Sequence, residues 1–156
     1  MRLKTTFISI VAVLALSTTL IGCSNTNSSA TPQDIAARIK NTVTLTDMQP
    51  LNESDISSMY GIDLNDVKAF AGEIDSTGLR TDEFIIIEAK DSASASRILD
   101  KLQARRTQRM NEAKNYNPEG YATVQKSPVS QKGNYIYLFF SENADTMTNI
   151  LNEFIK

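Results

Sequence analysis

The sequence contains no histidine, and Cys23 is its only cysteine. These absences exclude Ser-His-Asp and Cys-His nucleophilic systems, histidine-bearing zinc sites and disulfides within the chain. Glycine is sparse as well, with six residues, and no glycine-rich phosphate loop is present. We therefore predict no cofactor and no metal site, and we assign no catalytic residue. A folded domain of this sequence has to be held together by its core.

The first 22 residues have the features of a lipoprotein signal peptide. Arg2 and Lys4 precede an uncharged, mostly apolar run over residues 7–20, which is shorter than the about 20 residues that a transmembrane helix needs. The segment ends in Leu-Ile-Gly-Cys, with a small residue before Cys23. We expect cleavage before Cys23 and lipidation of its thiol, which would hold the protein on the outer face of the cytoplasmic membrane. The alternative is an uncleaved anchor with an incidental cysteine.

Charge and composition divide the rest of the chain into a tether and one domain. Residues 23–32 comprise the lipidated cysteine and a flexible polar tether, and residues 33–156 are expected to form a single domain. Removal of the first 22 residues lowers Lys+Arg from 16 to 14 against 18 Asp+Glu, so the net charge becomes about −4. We expect no nucleic-acid partner, because binding to phosphates needs a net basic surface.

The spacing of apolar residues and turns predicts an α+β fold. Helices are expected from residue 32, over 52–60, from 91 or 92 to about 115 and after 143, and Pro118 and Gly120 indicate a break after the third of these. Strands are expected over 67–74, 83–89, 121–126 and 135–140, with a hairpin turn at 131–134. The segment 83–89 is apolar on both faces, which is typical of a strand at the centre of a sheet. The prediction is a small, mostly antiparallel sheet of about four strands, packed with a long central helix and a C-terminal helix.

Several short motifs resemble those of a known family. They are Tyr-Gly-Ile-Asp at residues 60–63, Thr-Asp-Glu at 81–83, an arginine-rich helix, Tyr-x-Pro-Glu at 116–119 and Lys-Gly-Asn-Tyr at 132–135. Behind a lipoprotein leader, this order is similar to an uncharacterised family of short lipoproteins from Clostridia-like Gram-positive bacteria, known as a domain of unknown function. The resemblance covers about residues 33–155. It implies a location and a fold, and it carries no established catalytic or binding residues.

The predicted long helix carries basic side chains at four-residue spacing: Arg97, Lys101, Arg105 and Arg109. They form a ridge about 18 Å long. Arg106 falls within the apolar face that is centred on Leu102. One interpretation is that the ridge is solvated and that Arg106 lies against the sheet, paired with a strand carboxylate, Glu83 or Glu88.

The other interpretation is functional. Arg105, Arg106 and Arg109 would then converge as a binding site for a carboxylate or phosphate on a partner or on a wall polymer, since the planar guanidinium fits both groups. Residues 47–90 carry ten acidic and three basic side chains. These acids could be the partner surface of the ridge, either within the molecule or on a neighbour.

The last predicted strand offers a second candidate binding surface. If its aliphatic residues face the core, Tyr135, Tyr137 and Phe139 form an aromatic row on the opposite side, which could stack on sugars or hold a partner. Tyr116 and Tyr121 could extend this row. The alternative is that a helix covers the row or that it pairs across strands.

These features favour a membrane-anchored, extracytoplasmic lipoprotein that binds a protein or a cell-envelope polymer without catalysis. The first alternative is a hydrolase independent of histidine and cysteine, or an accessory subunit of an envelope enzyme or transporter. The second is a structural envelope protein. An enzyme should show a pocket with two or more carboxylates of shifted pKa, whereas a binding module should show exposed aromatic and arginine side chains. A structural protein should show neither.

Overall fold

The computed structural model describes residues 30–155, so the predictions for the signal peptide, for Cys23 and for most of the tether lie outside the described residues. The helices are α1 (Pro32–Thr42), α2 (Glu53–Ser58), α3 (Ser92–Tyr116), α4 (Pro118–Lys126) and α5 (Ala144–Phe154). The strands are β1 (Met48–Pro50), β2 (Val67–Asp75), β3 (Glu83–Ala89), β4 (Ser130–Lys132) and β5 (Tyr135–Phe140). None of these five helices is both long and apolar enough to cross a bilayer.

The strands form one antiparallel sheet in the order β1-β2-β3-β5-β4. Strand β3 lies at its centre and pairs with β2 on one side and with β5 on the other. Every residue of β3 is buried, as expected from a run that is apolar on both faces. The predicted α+β class, with a long helix and a C-terminal helix on an antiparallel sheet, is confirmed.

Helices cover both faces of this sheet because alternate residues of a strand point to opposite sides. On one face, Ile85 and Ile87 of β3 and Ile136, Leu138 and Phe140 of β5 pack with α2, α3 and α4. On the other face, Phe84 and Ile86 and the aromatic row of β5 pack with α1 and α5. Ile85, Ile86 and Ile87 are fully buried, and burial of each contributes about 1.5–3 kcal/mol.

The helix starts follow local capping signals. Thr31 and Asp34 form a capping box at α1, whose first residue is Pro32, and Asp91 accepts a hydrogen bond from the backbone of Ser94 at the start of α3. The predicted starts of both helices are confirmed. Helix α5 begins after Asn143, as expected, but that side chain makes no capping hydrogen bond.

The prediction of a strand near residues 121–126 was wrong, because Pro118–Lys126 forms α4. Pro118 occupies the first helical position, where its missing N–H costs nothing, and Asn117 accepts a hydrogen bond from the backbone of Gly120. Gly120 and Val124 are buried at four-residue spacing, so this short segment has a helical face. The proline and glycine, which suggested a break, mark the start of a second helix.

The sheet has five strands where about four were expected. Because the segment predicted as a strand at 121–126 is helical, two strands are additional, β4 and β1. Strand β1 consists of three residues that end in Pro50 and pair with β2 at the edge of the sheet. So short a strand leaves no alternating pattern in the sequence, and proline is tolerated at a sheet edge. The strand that precedes the predicted turn at 131–134 is β4, which forms a hairpin with β5.

Candidate functional site

Arg105 is buried in an ion pair with Glu83. Its Nε and Nη2 atoms donate hydrogen bonds of 3.1 and 2.7 Å to the two carboxylate oxygens of Glu83, whose side chain is fully buried. Burial opposes the charged form, but the hydrogen bond and charge of Glu83 outweigh it and raise the pKa of Arg105. Because this guanidinium is already engaged by a carboxylate, it attaches α3 to the central strand.

Arg109 and Tyr60 extend this cluster, and Arg109 also pairs with the exposed Glu112. Arg109 Nε lies 3.6 Å from Glu83 Oε2, and Arg109 Nη1 lies 3.1 Å from Glu112 Oε2. The guanidinium carbon of Arg105 lies 5.3 Å from the centre of the Tyr60 ring. Burial raises the pKa of the Tyr60 hydroxyl, and the charge of Glu83 raises it further. The cluster is a buried polar contact between α3 and β3, and little of its surface is accessible to a ligand.

Arg106 lies elsewhere, and its partner differs from the predicted strand carboxylate. It donates hydrogen bonds of 2.8 Å to the backbone carbonyls of Ser127 and Gln125, at the C-terminal end of α4. The last carbonyls of a helix lack partners within the helix and carry partial negative charge, so they suit a cation. Arg105 takes the place that was predicted for Arg106, because the unexpected helix α4 provides acceptors on the side that Arg106 faces.

The three arginines therefore do not converge on one open site. Arg105 and Arg109 meet at Glu83, and Arg106 binds the end of α4. Farther along the ridge, Arg97 Nε donates a hydrogen bond of 2.9 Å to Asp66. These acids of the 47–90 segment are partners of the ridge within the molecule.

The aromatic row is also part of the interior. Tyr135 is 6% exposed and Tyr137 is 8% exposed, under α1 and α5, so the row is covered by helices. The Tyr135 hydroxyl donates a hydrogen bond of 2.7 Å to the carbonyl of Ala30. Tyr116 does not extend the row, since it lies at the end of α3 and is 89% exposed.

A polar cleft of about 320 Å³ opens at one end of the sheet, and we call it the end cleft. Its walls come from the loop after α1 (residues 44–46), the segment before β3 (80–82), the first half of α4 (117–123) and the loop after β5 (141–143). Most of the side chains are hydroxyls, amides and carboxylates. No signal in the sequence brought these four segments together; each belongs to a turn or a helix end, and only the fold makes them neighbours.

The electrostatics of the end cleft centre on Asp82 and Arg80. Hydrogen bonds from Thr77 and Arg80 outweigh burial and hold the pKa of Asp75 below its usual value. Arg80 Nη2 lies 3.0 Å from Asp75, whereas Arg80 Nε is 3.4 Å from Asp82 and makes no hydrogen bond among the described residues. Burial raises the pKa of Asp82, Arg80 opposes this, and the charges of Asp75 and Glu142 add to it.

This arrangement suits binding through hydrogen bonds and through attraction of a positive charge. Asp82, Glu119 and Glu142 all line the cleft, against one base, Arg80. Within residues 30–155, no three metal-ligating side chains converge closely enough to hold a metal ion. An anion would meet a wall of net negative charge, so the end cleft is unlike the anion site that the arginines suggested.

Comparison with known proteins identifies the family. A family model described as a domain of unknown function (DUF4358) matches residues 41–141, which span β1 to the end of the sheet and include most of the end cleft. No curated protein and no solved structure matches the chain. The resemblance to an uncharacterised domain family is thereby confirmed. Since the match covers well over half of the chain, this protein belongs to the DUF4358 family.

Proposed function

We propose that this protein is a lipid-anchored, extracytoplasmic binding module, attached through Cys23, that holds a protein or an envelope polymer in the end cleft. The observation that carries the proposal is the position of the cleft relative to Ala30, where the described chain begins. The two lie at opposite ends of the sheet.

Strand β5 and helix α1 measure this separation. Tyr135, the first residue of β5, holds Ala30 by its hydroxyl, and the cleft residues 141–143 follow the last residue of the same strand. Six strand residues span about 20 Å. Helix α1 runs in parallel from Pro32 to Thr42, about 16 Å, and leads directly to cleft residues 44–46. In a chain attached to the membrane before Ala30, the cleft is at the end of the domain farther from the attachment point.

The competing function is a hydrolase, and Asp82 is the observation that favours it. A half-buried carboxyl of raised pKa can act as a general acid. Such a mechanism also needs an oriented nucleophile or base. Glu142 is a carboxylate in the same cleft, but it is exposed, and no hydrogen bond or ion pair orients its side chain among the described residues. The geometry favours binding, because it offers attraction and hydrogen bonds but no oriented base beside Asp82.

The anchor is tested by replacing Cys23. We expect the wild-type protein to incorporate a radiolabelled fatty acid and to sediment with membranes. Cys23→Ala should incorporate no label and stay uncleaved or soluble. Ser24→Ala is the matched control, since it changes the neighbouring hydroxyl and keeps the thiol. A Cys23→Ala protein that remained of mature size, labelled and membrane-bound would contradict the proposal.

A further inference from the structure

The end cleft is lined by groups that suit a hydroxyl-rich ligand. Thr81, Thr123 and Ser141 contribute hydroxyls, and Asn117 and Asn143 contribute amides. These side chains both donate and accept hydrogen bonds, as sugar hydroxyls do. The volume of about 320 Å³ lies at the lower end of the range of small-molecule sites and suits a short saccharide segment.

Thr81 is closely packed in this wall. It is 9% exposed and packs against α4, where Gly120 leaves room for it. A Cβ atom at Gly120 would lie 2.4 Å from Thr81 Cγ2 and 2.8 Å from Thr81 Oγ1, so any larger residue would push Thr81 out of place. The wall is therefore built before a ligand arrives, which lowers the cost of binding.

The charges of the cleft favour a ligand with a positive charge. Three carboxylates face one guanidinium, and Arg80 is engaged by Asp75 and by Thr46, so that only its Nε, at 3.4 Å, is directed to Asp82. Asp82 and Glu142 line the same cleft, and the charge of Glu142 contributes to the raised pKa of Asp82. A positive group between these two carboxylates would relieve their repulsion, whereas phosphate or uronic acid groups would add to it.

An exposed aromatic residue directly precedes a residue of the cleft in the chain. Tyr116 directly precedes Asn117 of the cleft and is 89% exposed, and Leu79 directly precedes Arg80 and is 81% exposed. The Asn117 amide lies 3.4 Å from the Leu79 carbonyl and joins the two segments. Large apolar side chains this exposed are rare on the described surface, and a tyrosine ring can stack on the apolar face of a sugar.

From these four features we propose that the end cleft binds a saccharide that carries a positively charged amino group. The ammonium would lie between Asp82 and Glu142, and the sugar hydroxyls would bond Thr81, Thr123 and Asn117. Tyr116 would pack on a ring at the rim. This inference rests on the proposed binding function and names its ligand class; the ligand is an amino-sugar segment of an envelope glycan or a free amino sugar.

The test is a calorimetric titration of the purified full chain in detergent micelles. The probes are a β-1,4-linked glucosamine tetramer, the N-acetylated tetramer of the same linkage, and the glucosamine monomer. We expect the glucosamine tetramer to bind at least about tenfold more tightly than the uncharged N-acetylated tetramer. Tight binding of the monomer as well would identify a free amino sugar as the source, whereas a preference for the tetramer would identify a glycan chain.

Variants locate the site. Asp82→Asn keeps the shape of the side chain and removes its charge, and it should weaken binding of the glucosamine tetramer about tenfold. Tyr116→Ala should weaken both tetramers. Glu153→Gln is the matched control, because it removes an exposed carboxylate at the far end of α5, and it should leave the affinity unchanged. Circular dichroism checks that each variant is folded.

Equal affinity for the two tetramers, or a folded Asp82→Asn variant that binds as wild type does, would overturn this inference. Binding of none of the three saccharides would overturn it too. That result would leave the anchored binding module standing if Cys23 is lipidated and the cleft holds a protein instead, so the two proposals fail separately.

Discussion

Replacing Arg105 by methionine removes the guanidinium from the buried cluster and keeps an unbranched apolar stem. Glu83, whose side chain is fully buried, then loses both of its short hydrogen bonds, of 3.1 and 2.7 Å. Arg109 remains, with its Nε 3.6 Å from the same carboxylate. The buried carboxylate, at the start of the central strand, is left with Arg109 as its one charged partner, so its charge is only partly compensated.

The magnitude follows from burial. Removing one partner of a buried ion pair costs about 3–5 kcal/mol, and the remaining Arg109 places the expected loss at the lower end, about 3 kcal/mol. For a domain of this size, this loss corresponds to a fall in Tm of roughly 10 °C. Replacing Glu83 by methionine in the same protein removes the stranded charge and should recover most of the loss, since an apolar pair can substitute for a buried ion pair.

Thermal unfolding followed by circular dichroism measures this effect. Arg38→Met is the matched control, because Arg38 is exposed on α1, and its Tm should stay close to that of the wild type. An Arg105→Met variant within about 1 kcal/mol of the wild type would refute the reasoning. So would a double variant no more stable than Arg105→Met alone, because the loss would then not come from the stranded carboxylate of Glu83.

Three other changes should alter stability. Arg106→Leu removes two hydrogen bonds to backbone carbonyls and should lower the free energy of unfolding by about 1.5–3 kcal/mol. In the same thermal assay this loss should be smaller than that of Arg105→Met. An equal or larger loss would contradict the assignment of Arg105, and not Arg106, to the buried ion pair. Gly72→Ala would place a Cβ atom 2.4 Å from the Phe84 carbonyl oxygen, so chemical denaturation should show a free energy of unfolding lower by about 1–3 kcal/mol. An unchanged free energy of unfolding would be inconsistent with the register between β2 and β3. Asp82→Asn should raise Tm at neutral pH, because the raised pKa of Asp82 means that its ionisation destabilises the folded state as pH rises. At about pH 3 the carboxyl of the wild type is protonated, so the gain in Tm should vanish. A gain that persisted at that pH would have another cause.

Much of the fold could be predicted because its signals are local. The central strand Glu83–Ala89 and the strand Tyr135–Phe140 have the predicted bounds, and the long helix begins at the predicted residues 91–92. Each rests on a run of apolar residues or on a capping side chain within a few positions. Helix α4 was missed because Pro118 and Gly120 were interpreted as a break, although proline is favoured at the first position of a helix.

The candidate site could not be predicted in the same way. Helical spacing placed Arg106 on the apolar face, but the acceptor that binds it belongs to the unexpected helix α4. The spacing of β5 correctly separated two faces, yet it could not show that helices cover both of them, which buries Tyr135 and Tyr137. The end cleft is formed by four segments that are distant in sequence, and no sequence periodicity predicts that they lie close together in space.

The most direct test of an anchored module with an outward cleft is photo-crosslinking in intact cell envelopes. In one variant a photo-reactive residue replaces Glu119, which is exposed in the wall of the end cleft. In a second variant it replaces Glu153, near the C-terminal end of α5 and away from the cleft. The adducts are then identified by mass spectrometry. We predict adducts with an envelope saccharide or protein at position 119. Adducts with phospholipid are predicted at position 153 and not at position 119. Phospholipid on position 119, or no adduct there at all, would contradict the account.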